Sequence, residues 1–88
     1  MKRQRVSVLS ESVGIAEIQQ KLSERFKEKG RHASASTHEI LGFITEEFFE
    51  LIDAVKSNNK EDVRSELLDL AVAAAFGIIC INDDAIDW

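Results

Sequence analysis

The stretch Leu67–Ile81, LLDLAVAAAFGIICI, is apolar nearly all the way round a helix. A helix of that kind has no solvent face and is buried on several sides. A chain of 88 residues holds little other protein to cover it. The expectation is therefore a helix that meets its own neighbours on one side and a second subunit on another. Ala71, Ala73, Ala74 and Ala75 leave room for close helix approach. Asp69 interrupts the run, and no unbroken apolar stretch reaches membrane-spanning length. A core or interface helix is expected, with no membrane partner.

The rest of the chain also reads as helix, with no proline and few glycines. Ile15, Ile18, Leu22 and Phe26 recur at helical spacing and predict a helix over about residues 11–29, stopped by Gly30. Arg31–Thr37 reads as a loop. Ser36 followed by Glu39 has the form of a capping box and starts a second helix over about 37–56. Its apolar stripe is Leu41, Ile44, Phe48, Leu51, Ile52 and Val55. The segment SNNK breaks the pattern. Asn58 or Asn59 caps a third helix over about 59–81, with Glu61 and Asp62 in its first turn. The expected fold is all-α: one domain over residues 1–88, an antiparallel bundle of three main helices whose core is completed by dimerisation or tetramerisation.

Composition narrows the function. A net charge of −5 argues against nucleic-acid binding through phosphates. The lone Cys80 allows no internal disulfide, reads as a small buried hydrophobe and fits a reduced, cytoplasmic setting. The basic N-terminus is broken by Ser7, Ser10, Glu11 and Ser12, unlike the apolar stretch of a secretory signal. No Ser/His/Asp set, phosphate-cradling glycine loop or zinc spacing occurs, so a covalent nucleophilic mechanism has no support.

The acids carry the chemistry. Glu47 and Glu50 share a face of the second helix, as do Glu66 and Asp69 of the third. The short connection makes the two helices antiparallel neighbours. Glu47 and Asp69 stand equally far from Asn58, and so do Glu50 and Glu66, so each pair lies level. Phe43, Ala54, Val63, Ala73 and Phe76 flank the four acids. Four carboxylates brought together repel and call for a cation. Hard oxygen ligands favour Mg²⁺, with Mn²⁺ as a substitute, and Mg²⁺ commonly completes its shell with substrate phosphates. Solvated decoration of two helix faces is the bland alternative.

The pattern Glu46-Glu47-Phe48-Phe49-Glu50 followed by Glu66-Leu67-Leu68-Asp69 resembles the EExxE…ExxD motif of the MazG-like nucleoside triphosphate pyrophosphohydrolases, within the all-α NTP pyrophosphatase superfamily. The resemblance covers about residues 36–82. It implies a helical bundle assembled as a dimer or a dimer of dimers. It implies Mg²⁺-dependent hydrolysis of a nucleoside triphosphate to a monophosphate and pyrophosphate, a clean-up of the nucleotide pool. By the same resemblance Glu47, Glu50, Glu66 and Asp69 look like metal ligands. Glu46 would be a further ligand or would orient the attacking water, and Glu46, Glu47 and Glu50 are the candidates for the catalytic base.

Arg31, His32 and His38 stand before the acidic doublet, and Arg64 near the hairpin turn. All four are candidates for binding substrate. Their bland readings are solvent-facing loop and helix-start residues, and for Arg64 an ion pair with Asp62 or a neighbouring helix. Phe49 falls opposite the apolar stripe, as a subunit contact or a stacking surface. The alternative function is non-catalytic: a helical oligomer whose acids bind a structural metal or a basic partner. A di-iron bundle would need histidine where Asp69 stands.

Overall fold

Three helices make up most of the computed structural model, which describes residues 2–34 and 36–88. They are α1 (Val8–Lys29), α2 (Thr37–Lys56) and α3 (Lys60–Asn82), with no strand among the described residues. This is the expected all-α arrangement. Ala35, inside the expected loop, lies outside the described residues.

Local chemistry sets the helix ends. Ser7 is extended and its Oγ accepts the Ser10 N–H at 3.0 Å, so α1 starts at Val8, ahead of its apolar stripe. Gly30 ends it with φ +82, donating its N–H to the Phe26 carbonyl. Ser36 Oγ accepts the Glu39 N–H at 3.2 Å and opens α2. Asn59 caps α3, its Oδ1 accepting the N–H groups of Glu61 and Asp62 at 3.0 and 3.2 Å. Asn58 takes the left-handed backbone (φ 57) that asparagine tolerates better than most residues. The turn is therefore tight, and α2 and α3 form an antiparallel hairpin. After α3 the chain turns at Asp83 and Asp84, then runs back to α2. There the Thr37 N–H donates to the Asp87 carbonyl at 3.0 Å.

Packing is centred on α3, which lies against both α2 and α1; the latter two make no close backbone approach. Ala54, Val72 and Cys80 are the buried apolar side chains among the described residues. Phe76 of α3 joins the three helices, with ring centroids 6.0 Å from Phe26 of α1 and 6.5 Å from Phe43 of α2. A Cβ on Gly77 would lie 3.1 Å from Ile40 Cγ2, so glycine lets α2 seat closely there.

The apolar stripe expected for α2 is split by the packing. Leu41, Phe48 and Val55 are 61%, 51% and 55% exposed and face away from α3. The side turned to α3 carries Ile40, Phe43, Glu47, Leu51 and Ala54. Helix α2 has apolar residues on two sides, and periodicity alone does not say which one meets the neighbour. Ile15 of α1 is likewise exposed, as are Leu67, Ile78 and Ile81 of α3. The radius of gyration is 14.9 Å, against about 12 Å for a compact domain of this length.

By length and composition α3 is apolar enough to cross a membrane. Counting only unbroken apolar residues does not register this, because Asp69 interrupts the run Leu67–Ile81. Asp69 meets Lys21 and Arg25 of α1 and Glu66 adjoins Glu50 of α2, while 17% of the apolar window is buried within the chain.

Candidate active site

Glu47 comes from the middle of α2, and Glu66 and Asp69 from successive turns of α3. One oxygen from each lies within 4.8 Å of the others. Glu50, one turn along α2 from Glu47, adjoins both Glu47 and Glu66. The hairpin thus brings together all four acids whose level was set by their distance from Asn58.

The electrostatics of the group are unfavourable by themselves. Oε2 of Glu47 and Oε2 of Glu66 are shielded from water and have no hydrogen-bond partner. An orphaned carboxylate oxygen loses its hydration without replacement. Burial, and then repulsion from Glu50 and Asp69, push the Glu47 carboxyl above its usual 4.5. Glu66 is also pushed up, by desolvation first, then by a proton shared with Glu50 and repulsion from Glu50, Asp69 and Asp62.

Asp69 is treated differently. Its Oδ1 accepts Lys21 Nζ at 2.5 Å and Arg25 Nη2 at 3.4 Å, and its side chain is 19% exposed. Lys21 and Arg25 stand one turn apart on α1, just before Leu22 and Phe26 of the apolar stripe. Sequence reasoning missed both. The available signal was two cations at i and i+4 bordering that stripe, where a helix facing solvent needs none.

Beside the acids opens a cleft of roughly 440 Å³. Arg25, Phe26, Lys29, Gly30 and His32 line it from α1 and its end, Phe43, Glu46 and Glu47 from α2, and Asp69, Val72, Ala73 and Phe76 from α3. One end is acidic, the flank is cationic and the floor is aromatic. A pocket of that size with a few convergent polar groups takes a small organic ligand.

Other candidates fall in different places. Glu46 and His32 reach the cleft. Arg31 stacks its guanidinium over Phe26, 4.3 Å from the ring centroid. His38 is exposed in the first turn of α2. Arg64 is paired with Glu17 of α1, which fits the reading of an ion pair with a neighbouring helix. It lines a recess with Gly14 and Leu67, apart from the acid cleft. Phe49 is exposed and touches Phe48.

The donor set fits a hard divalent cation. It offers carboxylate oxygens only, close together, two of them shielded and without partners.

The sequence model of the phosphoribosyl-ATP pyrophosphohydrolase family matches residues 15–77, a span that holds every acid of the cluster. The chain belongs to that family, and with it to the all-α NTP pyrophosphohydrolase superfamily that the acidic motif resembles. Its members are pyrophosphohydrolases, which act on acid anhydrides. No curated protein and no solved structure matches the chain.

Proposed function

We propose that this member of the phosphoribosyl-ATP pyrophosphohydrolase family hydrolyses a nucleotide between its α and β phosphates, releasing pyrophosphate in the cleft between its three helices. One observation carries the reading: under-neutralised carboxylates share a cleft with cations and aromatic rings.

Glu47, Glu50, Glu66 and Asp69 would hold Mg²⁺, or Mn²⁺ in its place. A divalent ion there supplies charge neutralisation of phosphate oxygens and a more acidic bound water. Glu46, which lines the cleft beside Glu47, would orient a water and take its proton. Arg25 and Lys29 face the space where phosphates would lie and would counter their charge, and His32 beside them would hydrogen-bond there. Phe26, Phe43 and Phe76 offer an apolar floor to a nucleobase. Arg31 stacks over Phe26, a ring that lines the cleft, from a neighbouring recess.

A phosphoribosyl-ATP-type substrate is the first reading, because that is the family's name. A plain nucleoside triphosphate is the second, supported by the acidic motif. The exposed stripe of Leu41, Phe48 and Val55 suits coverage by a second copy of the chain. The lone buried Cys80 suits a reducing, cytoplasmic setting.

The test is pyrophosphate release from phosphoribosyl-ATP and a panel of NTPs and dNTPs, with Mg²⁺, Mn²⁺ or EDTA. A Glu66→Gln variant runs beside the wild type. Expected is metal-dependent release that the variant loses by at least about a hundredfold. No release from any nucleotide, by folded protein that binds Mn²⁺, would leave the acids as a structural metal site and reject the enzymatic reading.

A further inference from the structure

The acid cluster holds a cation of its own. Lys21 Nζ lies 2.5 Å from Asp69 Oδ1, and Arg25 shares the same oxygen at 3.4 Å. No such partner reaches the shielded oxygens of Glu47 and Glu66. Two cations thus meet four carboxylates, all at one end of the group. We propose that Lys21 is a resident counter-ion of the metal site: its ammonium holds Asp69 while no divalent cation is bound, and yields that carboxylate when one binds. This rests on the reading of the four acids as metal ligands.

Three features support it. The first is competition: an ammonium and a divalent ion both require the lone pairs of Asp69, and their mutual repulsion at such range disfavours sharing. The second is the choice of residue. Lysine is a point charge on a flexible stem, whereas the guanidinium of Arg25 is a planar fork. Arg25 lines the acid cleft, where it can meet phosphate, whereas Lys21 does not line it. The third is a place to go. Lys21 also borders a second recess, where Glu17, Gln20 and Glu24 of α1 stand with Leu68 of α3. Glu24 stands three residues after Lys21 on the same helix face, within reach of a displaced ammonium, whereas Glu17, four residues before, is held by Arg64.

The chain thereby keeps its metal-free acids partly neutralised, at the cost of weaker metal binding. The experiment measures Mn²⁺ affinity without nucleotide, by calorimetry and by the EPR signal of free Mn²⁺. It compares wild type, Lys21→Met and, as a charge control on another helix, Lys56→Met. Lys21→Met is expected to bind Mn²⁺ about tenfold more tightly, and Lys56→Met as wild type. In EDTA, Lys21→Met is expected to melt about 5 °C lower, and saturating Mn²⁺ should close the gap. Equal or weaker Mn²⁺ binding by Lys21→Met overturns the proposal. So does a melting loss that metal leaves unchanged, which would mark Lys21 as a packing residue. Lys56→Met matching Lys21→Met overturns it too, as a mere net-charge effect. Absence of Mn²⁺ binding in all three proteins overturns the metal reading itself and this proposal with it. Should Lys21→Met fail to fold without metal, Lys21→Arg keeps the charge on a side chain that leaves less readily. It is expected to bind Mn²⁺ more weakly than wild type, and equal or tighter binding overturns the proposal.

Discussion

At the scale of single residues, the crowded acids cost the metal-free fold stability. Glu47 and Glu66 have carboxyls pushed above their ordinary 4.5, by burial first and then by their acidic neighbours. A carboxyl raised in the folded state binds its proton more tightly there than in the unfolded chain. Its stabilising contribution is full below the unfolded value and is lost as pH rises through the folded one. Metal-free protein is therefore expected to gain from these two residues as pH falls from neutral towards 4.5, the usual carboxyl value. With saturating Mg²⁺ the slope should reverse, because protonation competes with the ion for the same oxygens. Thermal melts between neutral and mildly acid pH, with EDTA and with Mg²⁺, check both signs. Glu47→Gln removes one charge and keeps the shape. Discounted for solvent screening, the relief is on the order of 0.5 kcal/mol, or about 3 °C in EDTA. The same variant should lose metal-dependent pyrophosphate release. A variant that melts lower in EDTA would show that Glu47 is satisfied in a way its orphaned oxygen does not suggest.

At the scale of elements, the hairpin and α1 have different standing. The hairpin is tied by a turn whose three residues each contribute. Ser57 ends α2, Asn58 takes the left-handed backbone and Asn59 caps α3. Asn59→Ala orphans two N–H groups at once. The expected cost is about 1 kcal/mol, near 5 °C in a chain of this size, and a denaturant melt with unchanged slope would confirm it. Helix α1 packs on α3 alone, with Val8, Leu9, Val13 and Ile15 exposed. It is thus the element with the least buried contact. Hydrogen exchange should find amides of α1 before Ile18 opening faster than those around Val72 of α3. Equal protection would mean that something further covers α1. Because Lys21 and Arg25 ride on α1, its docking also sets how much charge reaches Asp69.

At the scale of the whole molecule, the uncovered apolar surface has an order to it. Leu41, Phe48 and Val55 recur along one side of α2, away from α3, and Ile78 and Ile81 are bare near the end of α3. Scattered exposed apolar residues are ordinary, but a stripe along a helix marks a contact surface. Light scattering should give at least twice the chain mass of 9.9 kDa. Leu41→Glu should shift the protein to monomer, whereas Lys56→Glu, beside the stripe but polar already, should not. A wild type that stays monomeric at all concentrations would reject self-association.

What was readable from the chain alone follows from counting. In a hairpin with a tight turn, the level of a side chain depends only on its distance from the turn. Glu47 with Asp69 and Glu50 with Glu66 were therefore paired by position alone. The cap at Ser36 was also legible, because a cap is a local bond between near neighbours, and the cap of α3 was narrowed to Asn58 or Asn59, of which the structure uses Asn59. The azimuth of α1 was not, since the loop from Gly30 to Ser36 has no periodicity to carry it. Only the tertiary structure set Lys21 and Arg25 on Asp69 and brought Phe26 to Phe76 and Phe76 to Phe43. Only it decided which of the two apolar sides of α2 is buried. A hydrophobic pattern records that a face avoids water, and the neighbour that covers it is settled by packing between elements distant in sequence.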